Sequence, residues 1–354
     1  MNKTAPVHPR PASLFDAVNA EALERFLDTR EIGSGPLVDF EHLAGGTQNI
    51  LVRFRRGEQV FVLRRPPLHP RPGNNETMMR EAHVLAALAG TAVPHPRLIT
   101  ACDDESLIGA AFYLMAPVDG FNAVNGMPHL HAGRAELRNA MGLALVDGAS
   151  TLAAIDHVAV GLEDFGQSDG FLERQVPRWL AQLEGYGAQA GWPGASAIPG
   201  VERVAEWLER WRPRSFRPGI MHGDYHLGNV MYRPDGPEIA AIVDWELATI
   251  GDPLLDLGWL LATWPDEDGS NAVVGTAPWQ GFPSRQNLIA RYADRSDRDL
   301  GAVTWYMALA CFKLGIILEG THARACAGKA DQASGDRLHA LCISLFNRAL
   351  GLLD

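Results

Sequence analysis

The chain changes character at Gly120. Ahead of it, apolar residues gather in strand-length runs at 37–43, 50–56, 59–64, 97–102 and 112–116, joined by turns rich in glycine. A helical stretch at 76–89, with Met78, Ala82, Leu85 and Ala89 on one face and Gly90 to end it, separates the third run from the fourth. Beyond Gly120, apolar residues recur at helical spacing over 131–155, 170–187, 201–211, 301–319 and 335–352. Only two strand-length runs, 229–233 and 239–243, interrupt those helices. A chain of 354 residues is too long for one small core. The pattern therefore predicts an α+β, bilobal protein with a small sheet-containing N-lobe over 35–117 and a mainly helical C-lobe over 118–354. Ahead of both, Leu14, Ala17, Val18, Ala22, Phe26 and Leu27 make 13–28 an amphipathic helix, so 1–34 reads as an N-terminal helical extension.

Composition narrows the function. The chain is 47% hydrophobic and 21% charged, ordinary for a globular protein, and carries a net charge of −11. Such a chain has no overall electrostatic footprint for nucleic acid. Cys102, Cys311, Cys326 and Cys342 form no C-x-x-C pair and read as reduced thiols. The apolar stretches 109–118 and 253–264 are short or broken by Asp256, so no membrane association is expected. Met1 to Ser13 has no apolar signal core, and a cytoplasmic location is expected. The oligomeric state is not legible.

The most polar motif lies in the hairpin between the helices: Met221-His222-Gly223-Asp224-Tyr225-His226-Leu227-Gly228-Asn229-Val230, then Ile242-Val243-Asp244-Trp245-Glu246 and Gly251-Asp252-Pro253-Leu254-Leu255-Asp256. Phosphoryl transfer to a hydroxyl needs a carboxylate to orient and deprotonate the acceptor, oxygen ligands for magnesium, and donors for the phosphates. Asp224 fits the base. Asn229, five residues on, and Asp244, ending an apolar strand, fit as ligands of Mg, which is hard and prefers oxygen. His222 reads as a brace for the loop backbone, and His226 has no assigned role. Asp252 reads as a cap for the following helix, with Pro253 at its first position.

This wording resembles the catalytic core of the aminoglycoside phosphotransferase and choline kinase family, relatives of protein kinases. It is most similar to the kinase-like domains found alone in bacteria and fused to acyl-CoA dehydrogenases in animals. The resemblance runs from about residue 35 to the C-terminus. It implies a protein-kinase-like fold, ATP and Mg as cofactors, and a small-molecule substrate bearing a hydroxyl. It also implies that Asp256 is the buried carboxylate that hydrogen-bonds the catalytic loop. On this template the turn containing Gly45, Gly46, Thr47 and Asn49 covers the phosphates. Arg64 stands where kinases carry a strand-end lysine, with Glu81 as its ion-pair partner. Arg65, on the opposite strand face, is expected to tolerate truncation. Met115, Ala116 and Val118 form the hinge that hydrogen-bonds adenine through backbone, with Pro117 where no amide is needed. Helices near 170–187 and 301–324 wall the substrate cleft, with Arg178, Trp179, Trp245, Glu246, Tyr306, Lys313 and Arg324 as candidates.

Three readings remain open on sequence: an active kinase, a nucleotide-binding pseudokinase module suggested by Arg64 in place of lysine, and a zinc hydrolase built on His222, Asp224, His226 and Asp244. For the last, no other His/Asp cluster supplies ligands at a familiar spacing. For the first, the resemblance implies a hydroxyacyl-CoA acceptor, with Arg210, Arg212, Arg214 and Arg217 as a basic patch for it. The rival acceptor is an aminoglycoside, whose positive charge suits the −11 net charge.

Overall fold

A computed structural model of the chain describes residues 18–43 and 49–353; Gly45, Gly46 and Thr47 of the glycine turn lie outside the described residues. The chain divides into two compact units. The first runs to Ala89 and takes in Pro96–Val118, and the second comprises Gly90–His95 and everything from Asp119 on.

The first unit contains α1 (Ala20–Thr29), β1 (Leu37–His42), β2 (Ile50–Arg56), β3 (Gln59–Arg65), α2 (Asn74–Ala87), β4 (Leu98–Cys102), α3 (Glu105–Ile108) and β5 (Phe112–Met115). Its five strands form an antiparallel sheet in the order β1-β2-β3-β5-β4. One face of that sheet, with Val52, Phe54, Phe61, Leu63 and Leu114, packs against Leu23, Phe26 and Leu27 of α1. Those three helical residues fall at i, i+3 and i+4, the stripe an amphipathic helix presents to a core. So α1 is part of the small unit's core and no appendage to it. Asn19 caps it by accepting the Ala22 N–H, so the helix begins at Ala20, and the stretch before Val18 lies outside the described residues.

The strand alternation puts Val62 and Arg64 opposite the α1-facing residues. Arg65 shares the core face with Phe61 and Leu63, which corrects the expectation that it is dispensable. It is 2% exposed, and its guanidinium donates to the carbonyls of Ile108 (2.8 Å) and Pro66 (3.1 Å).

The second unit is mainly helical: α4 (His129–Ala132), α5 (Ala135–Ala153), α6 (Gln175–Gly185), α7 (Val201–Arg210), α8 (Leu254–Thr263), α9 (Arg285–Arg295), α10 (Val303–Cys326) and α11 (Gln332–Leu350). The single helix expected over 131–155 is broken at Gly133. The Arg138 guanidinium there takes the carbonyls of His131 and Ala132, which a continuous helix would have bonded internally. Two pairs of short strands were missed in part. Besides β7 (Val230–Tyr232) and β8 (Ile239–Ile242), β6 (Gly219–Met221) pairs with β9 (Thr249–Gly251). The helix α8 begins just after Asp252 and Pro253, where a helix was expected, but its extent was not legible, because every residue in it is buried and it shows no amphipathic period. The helix α10 is long and apolar enough by composition to cross a membrane, yet 72% of its most apolar portion is buried inside the protein.

Arg65→Ala removes two charge-assisted hydrogen bonds and strands the Ile108 carbonyl in a packed core. It is expected to lower unfolding free energy by about 2–4 kcal/mol. Urea denaturation reads this directly, and a loss below roughly 0.5 kcal/mol would return Arg65 to the tolerant class.

Candidate active site

The two short strand pairs are nested. β6 and β9 enclose β7 and β8, and all four are interrupted at the same level, so the loop 222–229 lies beside the segment 243–248. Two hydrogen bonds fasten these together: the Val243 N–H donates to the Asn229 carbonyl (2.9 Å), and His222 Nε2–H donates to the Val243 carbonyl (2.9 Å). With its Nε2 protonated, His222 leaves Nδ1 as an acceptor for the Asp224 N–H (3.3 Å). The imidazole is buried between the rings of Tyr225 and Trp245.

The loop hangs from α8. Asp256, in the first turn of that helix and fully enclosed, accepts the backbone N–H of His222 at 2.6 Å and of Gly223 at 2.9 Å. Burial pushes this carboxyl up, against the lowering effect of His222 and the two amides. Gly223 has φ +85°, and a Cβ there would lie 2.3 Å from the Leu247 carbonyl oxygen, so only glycine fits. Asp252 caps α8 through the Leu254 N–H (3.1 Å).

That suspension presents Asp224. Its Oδ2 accepts from Asn229 Nδ2 (3.0 Å), and its Oδ1 accepts from Trp259 Nε1 (2.8 Å) on α8. His226 accepts the Gly228 N–H at its Nδ1, so its Nε2–H faces Asp224 Oδ1 at 3.4 Å. Burial raises the Asp224 carboxyl, but the hydrogen bond and charge of His226, with His222 and Asn229, outweigh it and hold the group well below the usual carboxylate range. Asn229 Nδ2 also donates to the Asp224 carbonyl (2.9 Å). Both amide hydrogens are thus spent on Asp224, and Oδ1 is the atom left to a cation. Asp244 follows β8 with φ 67° and ψ 63°, a left-handed backbone rare for a residue other than glycine. Such strain persists where the surroundings enforce it, typically at functional positions.

Lys313 of α10 reaches the same loop. Its Nζ lies 3.4 Å from the Gly223 carbonyl oxygen, 4.6 Å from the ring centre of Trp259 and 5.5 Å from that of Trp179. Burial pushes the ammonium down to about 8, although Asp224 and Asp256 pull it the other way. Arg178, exposed on α6, stacks on the Trp179 ring. Trp259 and His226 had no role on sequence. Trp259 is one aromatic within an apolar run, and its contact with Asp224 exists only once α8 folds.

Other expected residues fall elsewhere. Trp245 and Tyr306 do not line a cleft. Trp245 is buried on His222 with its Nε1 on the Ile242 carbonyl, and Tyr306 is buried with its hydroxyl on Asp252. Glu246 is half-buried beside Trp245, and Arg324 is exposed and donates to Thr321 Oγ1. Of the arginine run, Arg212 pairs with Glu209 and Arg217 with Asp297, so two of its four charges are spent on local acids, while Arg210 lies over the Trp211 ring. In the first unit, Arg64 meets Glu81 by Nε–Oε2 at 3.1 Å and Nη2–Oε1 at 3.3 Å, and Tyr113 OH donates to Glu81 Oε2 (3.1 Å). Met115 ends β5, the Ala116 N–H donates to the Arg97 carbonyl, and Asn49, Met115, Ala116 and Val118 are half-buried.

Residues 39–293 match the family described as the phosphotransferase enzyme family, abbreviated APH. Acyl-CoA dehydrogenase family member 10 of Mus musculus is 28% identical over 93% of this chain and 30% of its own length. The chain spans well under half the length of the curated relatives it matches. A crystal structure from Ralstonia eutropha JMP134, provisionally assigned as an aminoglycoside phosphotransferase, is 28% identical with a TM-score of 0.76, over 94% of this chain and 98% of that one. A thermostable mutant of aminoglycoside phosphotransferase APH(4)-Ia, in ternary complex with ADP and hygromycin B, is 15% identical with a TM-score of 0.60, over 92% and 98% of the two chains, a likeness of fold. The fold is kinase-like.

Asp256→Asn keeps shape but turns one accepting oxygen into a donor that faces a backbone N–H. It is expected to cost about 1–3 kcal/mol of stability. It is also expected to speed amide hydrogen exchange at His222 and Gly223; unchanged exchange at both would show that the loop does not hang from this carboxylate.

Proposed function

The chain belongs to the phosphotransferase enzyme family, and on that premise we propose that it moves the γ-phosphoryl group of ATP to a hydroxyl on an anionic small molecule of the hydroxyacyl-CoA class. The observation that carries the acceptor's charge is Lys313, a half-buried ammonium held over two indole rings beside Asp224. A fixed cation at that place repels a polycationic aminoglycoside and attracts a carboxylate, thioester carbonyl or phosphate.

In this reading Asp224 accepts the hydrogen bond of the acceptor hydroxyl and aims its oxygen at phosphorus. A carboxylate this acidic takes no proton from an alcohol in the ground state. The proton passes to Asp224 late, as the new O–P bond forms and the bond to the β-phosphate oxygen breaks, which suits a loose transition state. Trp259 Nε1–H, Asn229 Nδ2–H and His226 Nε2–H fix the orientation of Asp224. Asn229 Oδ1 and Asp244 are the hard oxygen donors that fit Mg, which neutralises charge on the phosphates when bound. Arg64, braced by Glu81, serves the phosphates, and the backbone of Ala116 and Val118 serves adenine. Against the pseudokinase reading stands the ion pair that Arg64 makes with Glu81.

Asp224→Ala is expected to lower kcat by ~10²–10⁴-fold or more while ATP still binds; near-normal turnover would remove its assignment. Asp244→Ala is expected to abolish Mg-dependent nucleotide binding measured by calorimetry. Lys313 is a cation below about 8 and neutral above it, so kcat/KM for an anionic acceptor is expected to fall as pH rises through that range. Lys313→Met is expected to flatten that limb at a low value. Turnover of kanamycin-like acceptors with none on hydroxyacyl-CoAs would overturn the acceptor class.

A further inference from the structure

The helices α10 and α11 form a hairpin that packs along its length. Phe312 meets Phe346, Glu319 meets His339 and His322 meets Asp336, so the two run antiparallel. Each carries a carboxylate and a histidine three residues apart, Glu319 with His322 and Asp336 with His339. That spacing puts both members of a pair on one helix face, and here the two faces meet. Glu319 Oε2 lies 2.7 Å from His339 Nδ1, and His322 Nδ1 lies 3.8 Å from Asp336 Oδ1. The two imidazoles stack at 4.3 Å with an interplanar angle of 22°. Donor atoms of Glu319, His322 and His339 all fall within 4.8 Å of one another.

Two observations ask for a cation there. Glu319 is 0% exposed, and its contacts are with neutral or titratable groups: Trp192 Nε1 donates to Oε1 (2.7 Å), and His339 and Cys342 flank the carboxylate. A carboxylate so enclosed needs a positive partner. Second, His322 is 8% exposed, and its Nδ1 is buried with no hydrogen-bond partner. Its other nitrogen faces Cys326 Sγ at 3.6 Å. A lone pair aimed into a cluster of carboxylate and imidazole is what a metal ligand offers.

We propose that Glu319, His322, Asp336 and His339 form a site for one zinc-type divalent cation, separate from the catalytic loop. Two imidazoles and two carboxylates are a borderline donor set, which suits zinc and disfavours magnesium. Bonds of about 2.0–2.2 Å would draw the four donors inward. Asp336, 60% exposed at its side chain, leaves the entry side open. The site would lock the α10–α11 hairpin to the segment bearing Trp192. It lies six residues, about 9 Å of helix rise, beyond Lys313 on α10.

The test is calorimetric titration of the chelator-stripped full chain with Zn²⁺, alongside the absorption spectrum with Co²⁺. One equivalent of zinc should bind, the melting temperature should rise with it, and cobalt should give the intense visible bands of a four-coordinate site. His322→Gln should weaken zinc at least ~100-fold, and Asp336→Asn, a surface change that leaves the fold intact, about 10–100-fold. His226→Gln, in the catalytic loop, should leave zinc affinity unchanged. Absence of stoichiometric zinc binding would overturn the proposal. So would binding that survives both the His322 and Asp336 changes, or that is lost with His226 instead.

Discussion

Everything at the candidate site depends on one buried carboxylate accepting two consecutive backbone amides. Asp256 binds the N–H groups of His222 and Gly223, and those two bonds set the height and tilt of the loop that presents Asp224. The loop has little freedom left. The left-handed φ of Gly223 turns the chain against the Leu247 carbonyl, and His222 ties it to Val243. A carboxylate enclosed in protein is costly unless every lone pair is used. Asp256 uses its lone pairs on the loop, so its own burial and the shape of the site are one constraint.

The helix α8 therefore has three duties. Its first turn holds Asp256, its next turn brings Trp259 to Asp224, and its full burial fixes both against α10. The helix α10 returns the arrangement: Lys313 rests on the Trp259 face and on the Gly223 carbonyl. A lysine in this position is held by carbonyl and π contacts, with two carboxylates close enough to favour its charge. Burial works against that charge, so the ammonium titrates near the working range of an enzyme. In the proposed function such an ammonium recognises an anion beside the reacting hydroxyl.

Much of the fold was legible because strand and helix periods differ and the chain switches between them at Gly120. Asp224, Asn229, Asp244 and Asp256 could be picked out together because one hairpin and the helix after it supply them all. His226 and Trp259 could not, and Lys313 was expected only as a candidate in the cleft wall, without its contact to the loop. His226 sits in the motif without a chemical signature of its own, and Lys313 meets the loop across a separation of 90 residues. Trp245 and Tyr306 were misread as cleft walls, since an aromatic that packs a core and one that lines a site look alike in a sequence. The break at Gly133 was invisible because its cause, Arg138, reads as an ordinary helical residue. The Glu319–His322 and Asp336–His339 pairs are each unremarkable alone and become a cluster only when the hairpin folds.

Phosphorus NMR on the reaction itself tests the central claim, that this site transfers phosphoryl from ATP to an acceptor hydroxyl. The protein, ATP, Mg²⁺ and a hydroxyacyl-CoA are followed together as the γ resonance decays. Transfer yields a new phosphomonoester resonance coupled to the carbinol proton of the acyl chain, with ADP in equal amount. Inorganic phosphate alone, in step with ADP, would show that water is the acceptor and contradict the assignment.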